Sequence, residues 1–237
     1  MGFKKLIRFE AIKQFDHVLE YPENMPGKWN EFFDNEHPIT LELACGKGEY
    51  SVGLGQMYPN RNFIGVDVKG NRIWNGAKKA LELGLKNVGF LRTQIDKIQN
   101  YFKEDEIDEI WILFPDPQLR YSKMRKRLTH PKFLRMYQQI MKKNGKVHLK
   151  TDSPDLFHFT KKVIELYGLN LLEESDNVYA LTEIKPELTI KTHYEGLNIS
   201  GSGTIHYLCF EIHKELPLEL DKELKLFYLP EEINDEP

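Results

Sequence analysis

From residue 39 onward, short continuous apolar runs alternate with stretches in which apolar residues recur every three or four positions. The runs at 39–45, 62–67, 88–92, 109–114 and 146–151 read as strands of a buried parallel sheet, and helices fit the gaps. One predicted helix covers 131–141, with Pro131 in its first turn, Leu134, Tyr137 and Met141 on one face, and Asn144 and Gly145 beyond its end. The next starts at Ser153 as cap and Pro154 at N1, buries Leu156, Phe159, Val163 and Leu166, and stops at Gly168. After Gly168 the pattern turns extended at 170–172, 179–181 and 204–212, with no convincing helix. The expected fold class is α/β: a doubly wound, mostly parallel, seven-stranded Rossmann-like sheet flanked by helices, with an antiparallel C-terminal strand. Residues 1–26 read as a candidate flexible N-terminal arm, 27–213 as one domain and 214–237 as an acidic tail.

At 237 residues the chain is long enough for one full core. Cys45 and Cys209 are too few for a disulfide framework. No stretch approaches the roughly 18 apolar residues of a membrane span, and the opening lacks a signal-peptide core. A soluble, cytoplasmic protein is expected, without membrane partners.

Charge changes the picture more than composition does. Formal net charge is −3, yet 118–150 holds eleven Lys or Arg and no Asp or Glu, whereas 211–237 holds nine acids against three lysines. Such asymmetry points to a polyanionic partner. The basic run follows FPDP, in which Asp116 stands between Pro115 and Pro117 at the end of the fourth predicted strand. Asp116 could also simply open a β-turn, a reading that leaves the basic run unexplained.

The first strand runs into LELACGKGEYSVGL, where Gly46 and Gly48 make a tight turn before a helix. A dinucleotide site would want a third small residue at Ser51 and no acids beside a diphosphate. Glu42 and Glu49 flank this turn and suit a cationic cofactor without phosphates, which favours S-adenosylmethionine over NAD. Asp67 lies 19 residues after Gly48, at the spacing of a ribose-binding acid. Asp96, after the third strand, is either a third such acid or the cap of a short helix. In a doubly wound sheet the glycine loop and the Asp116 turn would face one another across the ligand.

Six strings in order, LELACGKGE, GVDV, TQID, FPDP with its basic continuation, HLKTD and THYEG, together with GKWNEFF from Gly27, resemble the bacterial tRNA (guanine-N7)-methyltransferases over the span to about Phe210. The resemblance implies the methyltransferase version of the fold and methyl transfer from S-adenosylmethionine to N7 of a variable-loop guanine of tRNA. Position by position it implies cofactor contacts at Glu42, Gly46, Gly48, Asp67, Gln94, Asp96 and Asp116, with Asp116 also the catalytic candidate. It implies substrate contacts at Arg120, Asp152 and the four residues Thr192, His193, Tyr194 and Glu195. No metal is expected, and the oligomeric state stays open between monomer and homodimer. Where many relatives carry an aromatic residue and paired lysines after the second proline, this chain has Gln118, Leu119 and Arg120, and a planar guanidinium is not interchangeable with an ammonium.

Plainer readings stand beside these. Asp152 precedes a helix start, and Thr192–Glu195 has the spacing of a capping box, although no helical period follows. His148 and Lys150 alternate on the fifth strand and fit a solvated face as well as a substrate edge. Arg120, Lys123, Arg125, Lys126 and Arg127 would hold phosphates. A NAD-dependent oxidoreductase and a non-catalytic RNA-binding protein on the same fold remain the competing functions.

Overall fold

A computed structural model of the chain describes residues 7, 8, 10–197 and 200–229. Among them eight strands form one sheet: β1 (Val18–Glu20), β2 (Ile39–Leu43), β3 (Asn62–Asp67), β4 (Val88–Arg92), β5 (Ile107–Leu113), β6 (Met141–Thr151), β7 (Asn170–Ser175) and β8 (His206–Glu211). Their order is β1-β4-β3-β2-β5-β6-β8-β7, parallel except where β8 runs against β6 and β7. Every residue of β2 and β3 is buried, as expected of central strands covered on both faces. The helices are α1 (Trp29–Phe33), α2 (Glu49–Met57), α3 (Gly70–Glu82), α4 (Pro131–Gln138), α5 (Pro154–Tyr167), the short α6 (Pro186–Thr189) and α7 (Leu220–Phe227).

Four differences from the sequence pattern have physical causes. The sheet has eight strands because Val18–Glu20, too short to show alternation, pairs with Phe90–Arg92 at its edge. Helix α4 ends at Gln138; Met141 already belongs to β6 and pairs with Ile107. Asn144 takes φ +68° inside that strand, so Asn144 and Gly145 mark an irregularity in the pairing instead of a helix stop. Val178–Ala180 is a 3-10 turn where an extended segment was expected, and α6 and α7 are helices where none was.

The helix from 154 matches its expectation: the Ser153 hydroxyl accepts from the Leu156 N–H, and Gly168 ends it at φ +57°. The segment assigned to an acidic tail packs on the domain through Leu216 and Leu224, both buried. The Arg135 guanidinium clamps it, donating to the Leu216 carbonyl at 2.8 Å and to the Asp221 carboxylate. In the expected arm, Arg8 lies over the Trp74 ring at 4.7 Å, while Lys4, Lys5 and residues 230–237 fall outside the described residues. No helix among the described residues is long and apolar enough to cross a membrane.

Candidate active site

Strand order reverses between β2 and β5, which are neighbours and parallel. Chain continuing from their carboxyl ends therefore diverges and leaves a cleft there. Two cavities occupy it, of about 660 and about 690 Å³, and they share Ala44 and Asp67. Thr93, Gln94, Ile95 and Asp96 line the first opposite Leu128 and Phe133, with the exposed Arg125 and Lys126 also in its lining. The second lies between Phe114–Pro117, Asp152 and Tyr194, with Lys69 and Arg72 completing it.

The glycine loop is built by backbone that other residues resist. Gly46 and Gly48 have φ +57° and +68°, and a Cβ on Gly48 would sit 2.4 Å from the Phe90 ring. Asp67 holds the turn in place: its carboxylate accepts from the Gly46 N–H at 2.9 Å and from the Lys69 N–H at 2.8 Å.

Glu42 lies beneath this loop and in the lining of neither cavity. It is buried, accepts from the Ser51 N–H at 2.8 Å and from the Ser51 hydroxyl at 2.5 Å, and burial pushes its carboxyl up to about 8. Burial thus favours its neutral form and weakens the negative field expected from it at the cofactor; Asp67 and Glu49 remain. Ser51, which breaks the dinucleotide pattern, is the clasp between α2 and β2.

At the facing turn, Asp116 is exposed and accepts from the Gln118 N–H at 3.0 Å through one oxygen. Its other oxygen takes no hydrogen bond among the described residues. The turn reading and the functional reading of Asp116 are thus both accommodated. Arg127 corrects the sequence reading: it is 6 % exposed, donates to the Pro117 carbonyl at 3.1 Å and stacks over Phe159 at 4.5 Å. Burial lowers its pKa, and it supports the Asp116 turn from within instead of meeting phosphates. Arg120 is exposed beside Leu119, which lines the second cavity.

Asp152 accepts from the Ser200 N–H at 3.0 Å and faces the same cavity. Tyr194 also faces it; a Cβ on Gly46 would approach its ring to 3.1 Å, and the Arg72 guanidinium lies 5.4 Å from the ring centre. Thr192 and Glu195 form half a capping box, with the Thr192 hydroxyl accepting from the Glu195 N–H at 3.2 Å ahead of a 3-10 turn. His193 is exposed and outside both linings.

Glu195 is already engaged. Its carboxylate accepts from the Lys150 ammonium at 2.9 Å and from the Tyr179 hydroxyl. The Lys150 side chain, fully buried and no part of a solvated face, also donates to the Leu188 and Ile190 carbonyls at 2.9 and 3.2 Å. One lysine thereby ties 188–195 to the sheet. His148 is buried too, stacked on Trp111 at 3.9 Å and paired with Glu109. Although burial alone would raise it, the His148 and Arg61 contacts hold the Glu109 carboxyl down at about 2. Asp96 does not cap; Gln94 holds the cap position of the 3-10 turn Ile95–Asn100, and Asp96 pairs with Lys132 at 3.3 Å.

Sequence reasoning missed Lys69 and Arg72, which stand just past the ribose-type acid in an ordinary helix start, and left Lys150 between a solvated face and a substrate edge, where its burial against Glu195 makes it neither.

A glycine loop and a ribose-type acid at the switch point of a doubly wound sheet closed by an antiparallel pair define a Rossmann-like, S-adenosylmethionine-dependent methyltransferase. Solved structures share this fold: the 16S rRNA methyltransferase KamB at a TM-score of 0.58, 13 % identical, covering 77 % of this chain and 91 % of its own. The 16S rRNA (adenine(1408)-N(1))-methyltransferase from Catenulisporales acidiphilia follows at 0.56, 14 % identical, with 80 % and 94 % covered. A family model described as "Putative methyltransferase" matches residues 36–208. The tRNA (guanine-N(7)-)-methyltransferase of Porphyromonas gingivalis is 46 % identical over 84 % of this chain and 86 % of its own. That of Bacteroides thetaiotaomicron is 44 % identical over 95 % and 93 %. The chain belongs to the tRNA (guanine-N(7)-)-methyltransferase family.

Proposed function

We propose that this enzyme transfers a methyl group from S-adenosylmethionine to N7 of a guanine in the variable loop of tRNA. The observation that carries the reading is the meeting of two cavities at Ala44 and Asp67, one lined like a nucleoside site and the other containing Asp116 next to exposed cations. The donor set fits the cofactor: Asp67 for ribose hydroxyls, Gln94 and Asp96 for polar edges, and Ile95, Leu128 and Phe133 for an aromatic face. Glu49 in the first turn of α2 opposes a diphosphate, and the similarity to tRNA (guanine-N(7)-)-methyltransferases over most of the chain lends the oxidoreductase reading no support.

Bound S-adenosylmethionine supplies an electrophilic methyl group on a sulfonium. Guanine N7 carries an in-plane lone pair and needs no deprotonation before attack, so no general base is required of the chain. The protein's task is alignment, a term worth up to roughly 7–11 kcal/mol in favourable cases. Asp116 orients the reacting groups at the junction through its free oxygen. Asp152 accepts from an N–H of the guanine Watson–Crick edge. Tyr194 supplies a ring for the base to stack on. Arg120, Lys123, Arg125 and Lys126 hold backbone phosphates and need not read sequence. With its carboxylate already occupied, Glu195 contributes by fixing Tyr194.

The test is Asp116→Ala, scored by 7-methylguanosine formed in tRNA lacking the modification. Expected is near-complete loss of methyl transfer with the fold and most tRNA affinity kept. Unchanged turnover would overturn the reading.

A further inference from the structure

Several cations that are buried or half-buried in the molecule have internal partners. Arg61, Arg92 and Arg135 donate to carboxylates, Arg127 to a carbonyl, and Lys150 to a carboxylate and two carbonyls. Lys69 and Arg72 do not: among the described residues neither side chain has a hydrogen-bond or ion-pair partner, and both line the cavity that holds Asp116. The Arg72 guanidinium is nevertheless held, because Tyr194 lies beneath it at 5.4 Å and is itself packed against the glycine loop. Its donor fork is placed and unspent.

Position gives these two groups a use that the basic run cannot fill. Arg120, Lys123, Arg125 and Lys126 follow the Asp116 turn after β5, whereas Lys69 and Arg72 stand at the start of α3, after β3, and β2 runs between the two strands. Arg125 and Lys126 line the first cavity and Lys69 and Arg72 the second, so the two sets of cations border the cleft on either side of the junction at Ala44 and Asp67 that the cavities share. A nucleotide whose base enters a cleft keeps a phosphate on its 5′ side and another on its 3′ side, one toward each wall. We propose that Lys69 and Arg72 form a second phosphate grip, binding a phosphodiester that flanks the target guanosine on the side opposite the basic run. The inference rests on the tRNA reading above and extends it to a surface that carries no sequence signature. The planar guanidinium takes two phosphate oxygens and the ammonium acts as a point charge beside it.

The experiment compares wild type with Lys69→Gln/Arg72→Gln, measuring tRNA affinity across a salt series and S-adenosylmethionine affinity by calorimetry. Each lost phosphate contact lowers the slope of log K against log salt by about 1, so the double variant, which loses its grip on one phosphodiester, should bind tRNA with a slope shallower by about 1. Cofactor affinity and melting temperature should stay as in wild type, since neither side chain supports the fold. An unchanged salt slope would overturn the grip. So would weakened cofactor binding with tRNA binding intact, which would assign the pair to the cofactor's carboxylate. Methylation of tRNA by the wild-type control separates the two levels: if it is present while the slope is unchanged, only the grip fails; if it is absent, the function reading itself fails.

Discussion

Replacing Lys150 by Met removes the ammonium that holds the substrate-side segment on the sheet. The lysine side chain is 0 % exposed and Glu195 only 6 %. The variant leaves a buried carboxylate with the Tyr179 hydroxyl alone, and strips a donor from the Leu188 and Ile190 carbonyls. Breaking a buried pair from one side costs about 3–5 kcal/mol. For a chain of this length that corresponds to a fall in melting temperature of roughly 6–20 °C, at about 2–4 °C per kcal/mol. Chemical and thermal unfolding measure it directly. Lys150→Met/Glu195→Met should recover much of the loss, because the uncompensated charge is gone, giving a coupling of about 1–3 kcal/mol. Methylation of tRNA should fall in both variants as Tyr194 loses its place opposite Asp116. A single-variant cost under about 1 kcal/mol, typical of exposed pairs, or strict additivity in the double variant, would refute the reasoning.

Other consequences are as concrete. The Glu42 carboxyl titrates near 8 in the folded protein against an ordinary 4.5, so between those values the folded state binds the extra proton and stability falls as pH rises, by about 1.4 kcal/mol per pH unit. Glu42→Gln should flatten that slope and keep cofactor affinity at pH 7; melting curves from pH 5 to 8 that parallel wild type would contradict it. Gly48→Ala places a Cβ 2.4 Å from Phe90 at φ +68° and should cost roughly 2 kcal/mol or more with loss of cofactor binding, read by unfolding and calorimetry. Arg127→Met keeps the stacking volume over Phe159 but drops the bond to Pro117; turnover should fall more than tRNA affinity, and Arg127→Lys should restore part of it. An equal loss of affinity would return Arg127 to the phosphate-binding set.

Much of the fold was legible because its signals are local. Buried strands read as apolar runs, and the helix from Ser153 to Gly168 announces both of its ends through capping chemistry acting within four residues. The glycine loop, Asp67 and the Asp116 turn were readable for the same reason, each depending on backbone conformation or spacing along a short stretch. The edge strand at 18–20 and α7 escaped because a three-residue strand has no period, and a helix in an acidic stretch shows its apolar stripe only against a known neighbour.

Charge was where the linear order misled. The basic run appeared to lack acids only because its acids come from elsewhere in the chain: Asp221 for Arg135, Asp96 for Lys132, Asp108 for Lys142 and Glu195 for Lys150. Four of its cations are thereby paired within the protein and Arg127 is buried against a carbonyl, while two unremarked residues, Lys69 and Arg72, stand unpaired in the cleft. The sequence by itself determined the central parallel strands and the loops at their ends, since those follow from periodicity and turn chemistry over a few residues. Only the tertiary structure decided which charges are spent and which face a ligand, because pairing and burial depend on distance in space, and partners here lie 34 to 86 positions apart.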